Sequence, residues 1–355
     1  MRSKGINENV HDNLTSAKAM NKLLSVCIPS FNMERYLSRN LDSFLESGCL
    51  DNLELIVVND GSTDNTLKIA NEYKTRYPDT IVVIDKQNGH YGSCVNAALK
   101  IASAKYFRIV DADDWVDTAS LKILLQTLNV VNTDVVYTRY SNFYEKDGST
   151  VVNADPADMT WCKSMDLNDL RFDKYVHMHQ ITYLTQFLRD INYVQTEGVC
   201  YTDTEYVFKP LIQAKNIYSI DVSLYQYYIG RDDQSMSPNV LMKNFTHLQK
   251  VLLSILDYPR PSYTNINYEY LYNYYVTTLL GMLVDCLYAS RCRNKDWNSN
   301  LRSVCKILES KGLDLSRFLA FSIRGCHWFK WWLEDTALSR CKLRILFYLI
   351  DLRSN

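Results

Sequence analysis

Short, almost wholly apolar runs alternate with amphipathic stretches over the first 140 residues. Leu23–Ile28, Leu53–Val58, Ile81–Ile84, Tyr106–Val110 and Asp134–Thr138 have the continuous apolarity of strands covered on both faces. Between them, Met33–Glu46, a stretch ending near Tyr77, Ser93–Ala102 and Thr118–Asn129 carry apolar residues at helical spacing. Strands alternating with helices predict an α/β fold with a mainly parallel sheet flanked by helices. Pro29 is expected to stop the first strand. Gly61 permits a tight turn after the second, with Ser62, Thr63 or Asp64 capping the helix that follows.

Beyond Tyr140 the regularity fades. Helices are expected at Ile181–Asp190 and Thr204–Ala214, and a strand at Ser219–Ile229. Long helical patterns then take over at Val240–Leu256, Tyr268–Ala289 and Asn298–Leu308, with a break at Asp257–Pro261. These changes divide the chain into a flexible leader (1–21), an α/β domain (22–238, with halves 22–140 and 141–238) and a mostly helical C-terminal region (239–355).

Composition narrows the class. The net charge of -1 gives no argument for nucleic acid. The ten cysteines form no CxxC pair, so a zinc ribbon or thioredoxin motif is not expected. Residues 1–21 lack the apolar segment of a signal peptide, and no run approaches the roughly 18–20 apolar residues of a membrane span. A reducing cytoplasm is the expected location. Neither a P-loop nor a G-x-G-x-x-G turn is present, which disfavours P-loop and dehydrogenase-type chemistry.

The chemistry concentrates at Ile109-Val110-Asp111-Ala112-Asp113-Asp114-Trp115. An apolar strand ends there in three carboxylates within four positions. Acids so close repel one another unless a cation or ligand donors intervene. Mg²⁺ and Mn²⁺ prefer such oxygen ligands and bridge to phosphates. The segment therefore suggests a site for a metal-bound phosphorylated substrate at the strand end. The alternative is a polar turn in which Asp114 or Asp117 caps the next helix.

Four ordered motifs carry a resemblance. Val26-Cys27-Ile28-Pro29-Ser30-Phe31-Asn32 resembles the V-x-I-P-x-Y-N opening of family 2 glycosyltransferases, and Val57–Asp64 resembles their V-V-D-D-G-S-x-D. Asn88-Gly89 followed by Gly92 and Asn96 resembles N-x-G-x-x-x-A-x-N, shifted at the first glycine. Val110–Asp114 resembles their D-x-D segment. The resemblance spans about residues 23–235 and implies the GT-A fold, a nucleotide-diphosphate-sugar donor such as a UDP-sugar, and inversion at the anomeric carbon. It places the nucleotide near Pro29, Phe31, Asn32, Asp60, Asn88 and Asp111, gives Asp113 to a Mn²⁺ or Mg²⁺ ion, and leaves Asp114 to the metal or the donor sugar.

Inversion also requires a carboxylate to take the acceptor's proton. Relatives often carry an E-D pair before a helix. Here Thr202 replaces the first acid and Asp203 is the expected base, with helix capping as its alternative and Glu205 and Glu197 as substitutes. His177 and His179, two apart, are candidates for the acceptor or the metal, and Glu205 is also a candidate for the acceptor site. Arg231, in a segment resembling Y-x-x-R-x-x-S-x-S, is expected to close over the diphosphate. The implied acceptor is a glycan or a lipid-linked glycan in polysaccharide biosynthesis. In the tail, residues 322–355 mix Trp328, Trp331 and Trp332 with six basic and three acidic residues. That mixture suits either the inner face of the plasma membrane or a packed helix or second subunit. Two rivals remain: a sugar nucleotidyltransferase, disfavoured by the glycine-free Pro29–Asn32 loop, and a non-catalytic sugar-nucleotide binding or scaffold protein, which the Thr202 departure keeps open.

Overall fold

The computed structural model describes residues 22–230, 237–313 and 327–354. Its first half is a parallel sheet in the order β3-β2-β1-β4. The strands are β1 (Leu24–Ser30), β2 (Leu53–Asp60), β3 (Ile81–Lys86) and β4 (Tyr106–Ile109). The helices α1 (Leu37–Leu45), α2 (Thr66–Arg76) and α3 (His90–Ile101) connect them. β2 and β4 are buried along their whole length, as their unbroken apolar runs require. β1 runs through Pro29 to Ser30 rather than stopping before it. Pairing with β4 ends at Cys27, so the proline sits where only β2 remains alongside.

The second half brings β5 (Trp115–Val116), α4 (Thr118–Val130), β6 (Val135–Tyr144), β7 (Thr150–Val152) and β8 (Ser164–Asp166). β9 (Ile181–Leu184), α5 (Thr185–Asp190), α6 (Asp203–Leu211) and β10 (Asn216–Ile229) complete it. The sheet continues β4-β9-β6-β10-β5, with β9 antiparallel to both neighbours and β10 parallel to β6. The expected helix at 181–190 is thus two elements. Ile181, Thr182 and Tyr183 are β-branched or aromatic and fill the slot between β4 and β6, and only the remainder coils.

Alternation along β1 divides the core. Val26 and Ile28 meet Leu41, Phe44, Leu121 and Leu124 on one face of the sheet. Cys27 joins Val95, Phe107, Tyr206 and Phe208 on the other. The second cluster continues into α7 (Pro238–Lys243), α8 (Phe245–Leu256), α9 (Tyr268–Ala289), α10 (Lys295–Ser310), α11 (His327–Glu334) and α12 (Ala337–Ser354). The expected helix at 240–256 breaks at Asn244 into α7 and α8. Trp328, Phe329 and Trp332 are buried, and Trp328 lies 5.1 Å from Tyr288 of α9. These aromatics follow the packed-helix alternative. Among the described residues no helix is long and apolar enough to cross a membrane.

Candidate functional site

The acid cluster emerges where β4 ends. Asp117 caps α4 by accepting from the Ser120 N–H at 2.8 Å, so the capping role in this stretch belongs to it. Asp111 Oδ1 accepts from the Tyr91 hydroxyl at 2.8 Å. Asn40 Nδ2 donates to the carbonyls of Asp111 and Asp114, at 3.0 and 2.9 Å, and pins the turn to α1. Asp113 is partly exposed, and its carbonyl accepts from Arg39 at 2.6 Å. The Arg39 guanidinium stacks on Trp115 at 4.2 Å and Tyr228 at 4.5 Å, which keeps one positive charge near Asp113 and Asp114.

Asp114 departs from expectation. It is fully buried and accepts from the Tyr225 hydroxyl and, at 2.7 Å, from the Tyr228 N–H. Burial first, then the neighbouring Asp113 and Asp111, holds its pKa well above the ordinary carboxylate value. Asp114 therefore anchors β10 to the turn and does not face a donor sugar.

His179 completes the cluster. One ligating atom each from Asp111, Asp114 and His179 lies within 4.8 Å of the others. The Nδ1 of His179 is buried and has no hydrogen-bond partner. Burial, then His177 and the buried Arg108, pushes its pKa well below the usual imidazole value, so the ring is neutral. A neutral imidazole with a ring nitrogen within 4.8 Å of a carboxylate oxygen fits a divalent cation. Because the Asp114 oxygens already accept internal bonds, Asp111 and His179 are the residues that fit the ion best, with Asp113 alongside.

The rim is built from the ends of β1, β2 and β3. Asn32 sits at φ 56° and its Oδ1 accepts from the Thr63 N–H at 2.8 Å, which ties the first loop to the second. Asp60 is buried, and its Oδ1 accepts from Lys86 Nζ at 2.5 Å and the Gly89 N–H at 2.9 Å. Asn88 Oδ1 accepts from the His90 N–H at 3.3 Å. Pro29 lies in β1, while Phe31, 46% exposed, presents a ring to solvent at the strand's end.

Asp203 is the first residue of α6, behind Thr202, whose hydroxyl donates to Gln195 Oε1 at 3.0 Å. Burial raises the Asp203 pKa, with Glu205 adding to it. Its charge acts on Tyr91, Tyr175 and Tyr227, and Asp111 acts on Tyr91 and Tyr227 as well, so the two carboxylates lie near the same tyrosines. Glu205 does not belong to an acceptor site. It is fully buried, pairs with Lys209 at 3.1 Å, and accepts from Thr196, both N–H and Oγ1, and from Ser254. Glu197 accepts from Asn96 at 2.8 Å. Arg231 lies outside the described residues.

Tyr91, Tyr225, Lys86 and Arg39 escaped the sequence reading. Nothing local marks the tyrosines, whose roles arise from contacts across the fold. Lys86 did carry a signal, as a basic residue ending a strand beside the Asp60 turn. The shifted glycine motif also resolves: counted from Asn88 to Asn96, its first glycine falls on His90, which adopts φ 62°. That backbone is one glycine accepts freely and a histidine rarely does.

Residues 25–194 match the family described as "Glycosyl transferase family 2". The minor teichoic acid biosynthesis protein GgaB of Bacillus subtilis (strain 168) is 37% identical over 109 residues, 30% of this chain and 12% of that protein. The chondroitin synthase of Pasteurella multocida (strain Pm70) is 35% identical over 132 residues, 37% of this chain and 13% of that protein. The chain thus spans a small part of these curated relatives. Among solved structures, S. aureus TarS 1-349 in complex with UDP-GlcNAc superposes with a TM-score of 0.58 at 19% identity, covering 80% of this chain and 81% of that one. The mannosyltransferase PcManGT from Pyrobaculum calidifontis, in complex with GDP-Man and Mn²⁺, gives 0.51 at 13% identity, over 84% and 82%. These superpositions show a shared GT-A fold.

Proposed function

We propose that this chain, whose residues 25–194 belong to glycosyl transferase family 2, transfers a sugar from a UDP-linked donor to a glycan in polysaccharide or teichoic acid biosynthesis, with inversion. The observation that carries this reading is the gathering of ligating atoms from Asp111 and His179 at the end of β4, with Asp203 acting on the same tyrosines as Asp111. Asp111 and His179, with Asp113 two positions along the same turn, would hold a divalent cation, Mn²⁺ or Mg²⁺. That ion supplies neutralisation of the charge building on the departing nucleotide diphosphate. The protein's own residues do the rest. Asp60, Asn88, Asn32, Phe31 and Pro29 form the wall against which base and ribose bind. Asp203 takes the proton from the attacking acceptor hydroxyl. The tyrosines around it exclude water and offer rings to sugars.

The acceptor is an anionic glycan or one carried on an anionic lipid. Support comes from a cavity of about 460 Å³ in the helical region, lined by Arg291, Arg293, Arg302, Arg340 and Arg344 with Asp335 the one acid among its lining residues. Attachment of this region to the inner membrane face is part of the same reading, through the acceptor's lipid and not through Trp328 or Trp332. The test is release of UDP from UDP-GlcNAc and other UDP-sugars in the presence of Mn²⁺ and acceptor. Wild type should turn over, while Asp111→Asn and Asp203→Asn, folded by circular dichroism, should not. If no nucleotide sugar is turned over and none raises the Tm with Mn²⁺ present, the reading fails.

A further inference from the structure

Beside the Asp111–His179 pair the fold assembles a second group of ligating side chains, this one containing sulfur. His90 opens α3, Cys200 lies in the loop before α6, and His247 sits on α8. Their ligating atoms lie within 4.8 Å of one another. Cys200 Sγ is 3.6 Å from His90 Nδ1. The two imidazoles meet edge to face, with centroids 5.0 Å apart and planes at 76°. The Cys200 N–H donates to His247 Nδ1 at 3.3 Å and holds that ring to the loop.

This spacing has a physical meaning. With Zn–S near 2.3 Å, Zn–N near 2.05 Å and a tetrahedral angle, sulfur and nitrogen on one zinc ion stand about 3.6 Å apart. In the metal-free chain the same contact is a hydrogen bond between the thiol and the His90 ring, which keeps both ligands together at the separation the ion requires. The donor set is also selective. One thiolate and two imidazoles favour zinc, whereas Mg²⁺ and Mn²⁺ prefer the oxygen ligands of the Asp111 cluster. All three residues are partly exposed, so an ion has a way in and water can fill the fourth position.

We propose that His90, Cys200 and His247 bind one zinc ion, as one thiolate and two imidazoles with water as the fourth ligand. Cys200 gives up its proton to solvent on binding. The ion joins three parts of the chain: the start of α3, the loop that delivers Asp203, and the helical region. It thereby fixes the Asp203 loop against α8. The inference does not depend on the sugar or the acceptor, and its test does not use turnover.

The full chain, stripped with chelator and kept in excess Mg²⁺, is titrated with Co²⁺ and, separately, with Zn²⁺. Cobalt bound to a thiolate gives a charge-transfer band that the sulfur-free Asp111–His179 pair cannot produce. Wild type should take up one Co²⁺ with this band and one Zn²⁺ with a higher Tm. Cys200→Ser should lose the band and the zinc-induced Tm rise. His247→Gln should bind Zn²⁺ at least about tenfold more weakly. Absence of the band in wild type, a band of equal strength in Cys200→Ser, or unchanged zinc affinity in His247→Gln would each overturn the proposal. Should His247→Gln fail to fold, the nearly isosteric Cys200→Ser decides alone.

Discussion

Asp203 and Asp114 are both acids whose pKa burial raises, yet they serve opposite ends. Asp203 must be ionised to take a proton. Turnover should therefore climb with pH through its raised pKa, with an acid limb above that of an exposed carboxylate. The same shift means that the folded state binds its proton more tightly than the unfolded chain does. Stability falls as pH rises through this window, so the charged form costs stability at neutral pH. Asp203→Asn should consequently lower kcat by about 10²–10⁴-fold while leaving Tm equal or higher at pH 7, read by kinetics and calorimetry. A coincident loss of Tm would make the residue a helix-start fixture instead. Asp114 should behave in the reverse manner. Replacing it by Ala takes the acceptor from the Tyr225 hydroxyl proton and from the Tyr228 N–H, at a cost of about 2–4 kcal/mol, and Asn should recover part of it. The sequence made Asp111–Asp114 conspicuous because the whole signal is local. It could not separate Asp114 from its neighbours, since the hydroxyl that claims it is 111 positions away.

Elements repeat that lesson. The α6 helix was legible from its apolar spacing, but the function of its Glu205 was not. The carboxylate reaches Lys209 within α6, Thr196 in the preceding loop, and Ser254 on α8. It binds the helix that starts with Asp203 to the helical region. Glu205→Ala should strand the Lys209 ammonium, 9% exposed, and destabilise by about 3–5 kcal/mol, measured by urea unfolding. Glu205→Ala with Lys209→Met should restore much of the loss, because the orphaned charge is then gone. Continuous apolar runs gave β1, β2 and β4 with nearly correct ends, since strands buried on both faces cannot be polar. Ile181–Asp190 misled because a short apolar segment has no period of its own, and the open slot between β4 and β6 decided its conformation.

At the scale of the molecule, the change of pattern near Pro238 marks a change of secondary structure and not a break in packing. Tyr206 and Phe208 of α6 share one apolar cluster with Leu252, Tyr275 and Trp328. A chain ended at residue 238 should expose that face and lose cooperative unfolding. The helical region is thus part of the body that holds the site, and the proposed acceptor role of its arginine cavity can be tested directly. Two of its guanidinium groups, Arg302 and Arg340, already meet Asp335 at 3.4 and 3.1 Å. Arginines outnumber acids five to one among the cavity's described lining residues. If the proposed role holds, an anionic acceptor should gain there in binding but not in the chemical step. Arg344→Ala should accordingly raise KM for a phosphate-bearing acceptor about tenfold, with kcat and the donor KM unchanged. Added salt should reproduce the loss in wild type and shrink the difference between the two proteins, since screening removes the same attraction. A neutral oligosaccharide acceptor should show no difference at any salt concentration. Equal KM for anionic and neutral acceptors in wild type would detach the cavity from acceptor binding and leave acceptor choice to the tyrosine-lined space around Asp203.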